Sequence, residues 1–93
     1  MKKFLFLFFM PVYIFSQSFA TEVNELFLQK KFVKAEQIVS SYLNQYPNDL
    51  KAIELLGDAY GYQRQWDNAI EQYKKLVNTQ NDNANYHYKY GGA

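Results

Sequence analysis

The chain has no cysteine, so no disulfide can staple it and no lipid can be attached through a thioether. Any exported form must then hold together by packing alone. With a single histidine and no thiol, the usual metal-ligand sets are missing, and His87 has no companions. No strong charge of either sign is present. All nine acidic residues and all but two of the ten basic ones lie after residue 20, which leaves that stretch almost neutral. Such a balance argues against a nucleic-acid-binding surface or a strong attraction to anionic lipid. Prolines number only two, Pro11 and Pro47, so most of the chain is free to be helical.

What is present begins with an address-like segment. Met1-Lys2-Lys3 is cationic, Phe4 to Phe15 carries no charge, and Ser18-Phe19-Ala20 ends in a small-x-small pattern. That order is the order of a secretory signal, with cleavage expected after Ala20. The uncharged run would reach only about 18 Å as a helix, well short of a roughly 30 Å hydrocarbon core, and Pro11 interrupts it. Residues 1–20 are therefore expected to be a signal peptide and the remainder an exported protein, periplasmic or secreted. A membrane association is expected only if the signal segment stays uncleaved.

After Thr21 the apolar residues recur with helical spacing. Val23, Leu26 and Phe27 give a short helix. Phe32, Ala35, Val39, Tyr42 and Leu43 form a stripe closed by Tyr46-Pro47-Asn48-Asp49. Ile53, Leu56, Gly57 and Tyr60 form the next, and Trp66, Ala69, Ile70, Tyr73, Leu76 and Val77 another. Asn48 or Asp49 can start the third helix and Asp67 can cap the fourth. Asn85 to Tyr90 alternates polar and aromatic residues like a strand. Short connections throughout predict antiparallel neighbours and five helices, the last one short.

The chain superimposes on itself when Phe32 is carried onto Trp66. The same shift places Ala35 on Ala69, Val39 on Tyr73, Gly57 on Gly91 and Leu56 on Tyr90, with aromatic meeting aromatic and small meeting small. This 34-residue period makes the Asn85–Tyr90 segment a helix. Gly57, Ala69 and Ala35 are expected where paired helices approach most closely, with Tyr60, Trp66 and Tyr73 filling the wedge between one pair and the next.

At Leu56-Gly57, Tyr60, Trp66-Asp67-Asn68-Ala69-Ile70-Glu71 and Tyr73, together with Ala35 and Pro47, the chain resembles the tetratricopeptide repeat family. The likeness covers nearly everything after residue 20. It implies an all-α, right-handed stack of antiparallel helix pairs, about two and a half repeats: 21–49 a first repeat with a shortened first helix, 50–83 a complete repeat, 84–93 a partial third repeat or capping helix. The sequence departs from the family where Lys30 and Arg64 replace the usual turn glycine, where Tyr42 and Leu76 replace a small residue, and where Asn81 replaces a closing proline.

The resemblance also implies a function: protein–protein interaction, as an adaptor or assembly factor holding a peptide or protein in a concave groove. Carried over position by position, the groove would present Asn24, Phe27, Lys51, Glu54, Asp58, Tyr62, Asn85 and Tyr88. Some members clamp a partner's terminal carboxylate there with basic and amide side chains. Glu54 and Asp58 oppose such a clamp and suit a cationic or polar segment. Read without the family, Glu54 and Asp58 share a helix face four residues apart and could act as an acid and a base, but a solvated helix surface is the simpler expectation. No catalytic residue, cofactor or metal is expected. The Tyr-rich last helix offers amphipathic rings for packing, or for self-association. A contrasting expectation is that the chain is a truncated piece of a longer repeat protein with no independent activity.

Overall fold

The computed structural model describes residues 19–80 and 83–92, so residues 1–18 of the expected signal peptide lie outside the described residues. The described chain is all-α. Helix α1 occupies residues 19–28, followed by α2 (Phe32–Gln45), α3 (Leu50–Tyr62), α4 (Trp66–Thr79) and α5 (Ala84–Gly92). No described helix is long and apolar enough to cross a membrane. The expected cleavage point after Ala20 falls inside α1, where the Phe19 ring stacks on Tyr42 at 3.9 Å.

The turns explain where the helices stop, and they repeat. Lys30 and Arg64, one period apart, both take the left-handed conformation, at φ 61° and 60°. After α1 the Lys30 N–H donates to the Phe27 carbonyl and the Lys31 N–H to the Leu26 carbonyl. After α3 the Arg64 N–H donates to Gly61 and the Gln65 N–H to Tyr60. Each pair of bonds satisfies the last free carbonyls of its helix in a Schellman ending. The glycine expected at these turns is thus dispensable: a lysine and an arginine reach the same backbone geometry, at a steric cost of roughly 1 kcal/mol each.

The other connector repeats as well. Asp49 caps α3, its Oδ1 accepting from the Ala52 N–H at 3.0 Å, and its other oxygen accepts from the Tyr42 hydroxyl. Asn83, one period later, caps α5 by accepting from the Asn85 and Tyr86 N–H groups. Asp67, expected as the cap of α4, lies one position into its first turn, where a carboxylate favours the helix dipole; the position before α4 is Gln65, which makes no side-chain cap bond.

Two apolar clusters hold the helices together. Val23, Leu26, Ala35, Val39, Ala52, Leu55 and Leu56 join α1, α2 and α3. Ile53, Ala69, Tyr73 and Leu76 join α3 to α4, with Tyr86 of α5 partly buried against them. Tyr60 packs on both clusters and links them. Ala35 and Ala69 are fully buried, as their place at the close approaches requires. Gly57 is tighter still: a Cβ there would stand 2.5 Å from the Tyr73 ring, so only glycine lets α4 come so near. Trp66 departs from expectation. It does not fill a wedge but stands 49% exposed at the start of α4, 3.9 Å from where a Cβ on Gly61 would lie.

Candidate functional site

Helix α3 is central, and its Asp49 cap and two-sided packing fix the direction of its side chains. One of its faces carries Lys51, Glu54 and Asp58 at i, i+3 and i+7, with Tyr62 a turn further. Glu54 and Asp58 are not a solvated surface. Glu54 is 7% exposed, and a lysine from another helix lies between the two carboxylates. The Lys89 Nζ, from α5, donates to Glu54 Oε2 at 2.7 Å and to both oxygens of Asp58 at 3.0 Å. Asn85 Nδ2 donates to the same Glu54 oxygen at 3.3 Å, and Lys51 Nζ stands 3.5 Å from the other. From α4 the Tyr73 hydroxyl donates to Asp58 at 2.6 Å. Lys89 thus ties α5 to α3 through side chains, while the backbone of α5 packs on α4.

Burial alone would raise the Glu54 pKa, but the hydrogen bond and charge of Lys89, helped by Lys51, outweigh it and hold the carboxyl below its usual value. Burial likewise acts to lower Lys89, yet its bonds to Glu54 and Asp58 raise it above an ordinary lysine. Burial, and then the bond to Asp58, push the Tyr73 hydroxyl far up. All three groups therefore keep their charge state, cationic, anionic or neutral, near neutral pH. An acid–base pair needs two groups driven apart so that one holds a proton and the other does not. This cluster does the opposite, holding Glu54 as an acceptor beside a cationic Lys89. Among the described residues no group of three His, Cys, Asp or Glu side chains is placed to hold a metal.

A second grouping lies at the other end of the same face. Tyr62 stacks on Phe32 at 4.8 Å with the planes 9° apart, and Phe27 leans on Tyr62 at 4.9 Å. Tyr62 remains 54% exposed, so this cluster presents a ring edge to solvent. Beside it, an open cavity of about 270 Å³ is lined by Gly61, Trp66, Tyr73, Tyr88, Lys89 and Gly92.

Of the eight groove positions read from the sequence, the structure joins Glu54 to Asp58 through Lys89, joins Lys51 and Asn85 to Glu54, and joins Phe27 to Tyr62. Tyr88 is exposed on the cavity wall, and Asn24 is exposed on α1 without joining either group. Lys89, Phe32, Gly61 and Trp66 were not among the expected site residues. The signal for Lys89 was available. Its counterpart one period earlier is Leu55, so a charge occupies a core position of the repeat and demands a counter-charge.

Compared with known protein families, with curated proteins and with solved structures, the chain matches none of them.

Proposed function

We propose that the chain is a tetratricopeptide-like interaction module that holds a peptide or protein segment across α1, α3 and α5. The observation that carries this reading is the placement of side chains by the repeat period. Lys51 and Asn85 are equivalent, as are Asn24 and Asp58, so successive first helices of the repeat present matching positions on one face. Lys51, Tyr62, Asn85, Tyr88 and Asn24 are exposed there, mixing hydrogen-bonding groups with aromatic rings. Exposed tyrosines give large contact area at low entropic cost, which suits recognition. The acidic pair is already neutralised from within, so the segment held need not be strongly cationic.

The chain's export, and its role as an adaptor or assembly factor, belong to the same proposal. The test is co-purification from the exported fraction, comparing the wild type with a double variant, Asn24→Lys and Tyr88→Ala. Both positions are exposed, so folding is expected to survive. Loss of the co-purifying protein supports the face as the binding surface; undiminished capture by the folded variant removes it.

A further inference from the structure

A buried glutamine stands where the repeat asks for hydrocarbon. One period earlier the same position is Ile38, packed against the first apolar cluster. Gln72 keeps the buried place, at 7% exposed, but brings an amide with two donors and an acceptor. Among the described residues nothing is hydrogen-bonded to that amide. Nor, among them, is any side-chain nitrogen or oxygen both fully buried and without a partner. The Gln72 amide therefore reaches open space, and the opening it lines is a cavity of about 300 Å³ between α2, α3 and α4. All the walls come from residues 40–75, and none of Asn24, Lys51, Tyr62, Asn85 and Tyr88 is among them. The cavity is thus separate from the proposed binding face.

Its lining narrows the class of occupant. Leu43, Ile53 and Leu56 form an aliphatic floor, and no aromatic or acidic side chain borders it. Lys75 stands exposed at the edge, and among the described residues no carboxylate pairs with it. On the α2 side Asn44 adds a second amide. An unpaired ammonium beside amide donors calls for an acceptor carrying negative charge. The hydrocarbon floor calls for an aliphatic body on that acceptor. The volume lies at the small end for ligand sites, which run from roughly 300 to 1,000 Å³.

We propose that this cavity binds a small branched aliphatic carboxylate. Its hydrocarbon rests on Leu43, Ile53 and Leu56, and its carboxylate lies between the Gln72 amide and the Lys75 ammonium.

The probe is isovalerate, titrated into the isotope-labelled full chain and followed by NMR. Isovaleramide keeps the shape without the charge, and acetate keeps the charge without the branched body. Isovalerate is expected to shift the Gln72 side-chain amide and the Leu43 and Ile53 methyl signals saturably, with a dissociation constant of the order of millimolar. Isovaleramide and acetate should each bind about ten-fold more weakly. Lys75→Gln alters an exposed position, and should weaken isovalerate several-fold while leaving isovaleramide unchanged. Gln72→Leu returns hydrocarbon to the place Ile38 holds one repeat earlier, and should also weaken isovalerate several-fold.

Equal binding of isovalerate and isovaleramide, or undiminished binding of isovalerate by both variants, would overturn the proposal. So would acetate binding as well as isovalerate, which would mean an adventitious ion only. Acetyl-Ser-Leu with a free carboxylate presents the same chemistry at the end of a chain, and should bind more weakly than isovalerate. Tighter binding of that dipeptide would overturn the assignment to a free acid and move the carboxylate to a chain terminus.

Discussion

The two ends of the molecule solve the same packing problem with opposite chemistry. Where α3 meets α1, Leu55 is buried among Val23, Leu26, Val39 and Leu56, and the positions equivalent to Glu54 and Asp58 are Ala20 and Asn24. Where α3 meets α5, Lys89 takes the register of Leu55 and sits between two carboxylates. The first junction is driven by apolar burial, which tolerates salt and pH. The second depends on groups that must stay charged while partly desolvated. No residue of α5 is fully buried, and Tyr86 is its one partial anchor in the apolar cluster. One periodic backbone thus carries a firm end and a releasable one.

The largest effect is expected at the firm end. Leu55→Ala should cost about 3 kcal/mol, from lost transfer energy and the cavity left behind. A thermal melt should show it as a single large drop in midpoint. If the midpoint hardly moves, the α1–α3 junction is not the main source of stability and the contrast between the two ends fails.

The two equivalent glycines break the comparison from another side. Gly57→Ala pushes a methyl group into the Tyr73 ring and should cost about 2 kcal/mol. Gly91 has nothing within 4 Å of where its Cβ would be. Gly91→Ala should therefore stabilise α5 by up to about 0.8 kcal/mol through helix propensity alone. Opposite signs in denaturant titrations of the two variants are the expected result.

Lys89→Leu should loosen α5 by about 2 kcal/mol, because it strands Glu54 against Asp58 with less counter-charge. Adding Glu54→Ala and Asp58→Asn copies three positions of the α1–α3 junction, Leu55, Ala20 and Asn24, into the next repeat. That triple variant should regain the loss or exceed it, since apolar replacements for buried ion clusters are often neutral or better. The pH response sharpens the same contrast. Glu54 has a lowered folded pKa, so its contribution is present above the unfolded carboxyl value of about 4.3 and fades as pH falls through the folded one. Lys89 has a raised folded pKa, so its contribution is full below about 10.4 and fades as pH rises through the folded value. Amide exchange across α5 should therefore accelerate at both pH extremes before it does so around Val23, where the packed groups are apolar.

The features legible in the sequence are those that repetition enforces. Helix stripes, the buried Ala35 and Ala69, and the close approach at Gly57 all follow from spacing, and the repeat period correctly turned Asn85–Tyr90 from an apparent strand into α5. The misses are places where the repeats differ. Asp67 has the chemistry of a cap but stands inside the helix, because the turn at Arg64 sets the start of α4 two residues earlier than a capping side chain would. Trp66 reads as core by residue type, yet it opens α4 half-exposed beside Gly61, which offers no side chain against it. Lys89 reads as a solvated lysine on its own helix. Only its match to Leu55, and the unbalanced pair on α3, identify it as the centre of an ion cluster. Single-helix patterns carry no information on such cross-helix pairings.

The smallest predicted effect tests whether both ends belong to one cooperative unit. Lys30 and Arg64 occupy the same left-handed turn position, and neither is glycine. Lys30→Gly and Arg64→Gly should each relieve backbone strain, offset in part by the greater freedom glycine has when unfolded, for a net gain below about 1 kcal/mol. Because the two turns are built from the same bonds, the native-state relief should be equal at both. If the chain unfolds in one step, the two variants should raise the melting midpoint equally and the double variant should show their sum. If the α5 end opens first, Lys30→Gly should leave that early phase untouched. Arg64→Gly, at the turn between α3 and α4, should then shift both phases, because it stabilises the helix pair on which α5 rests. A gain at one turn only, in a single-step melt, would show that the two left-handed residues are not equivalent and that the repetition stops short of their energetics.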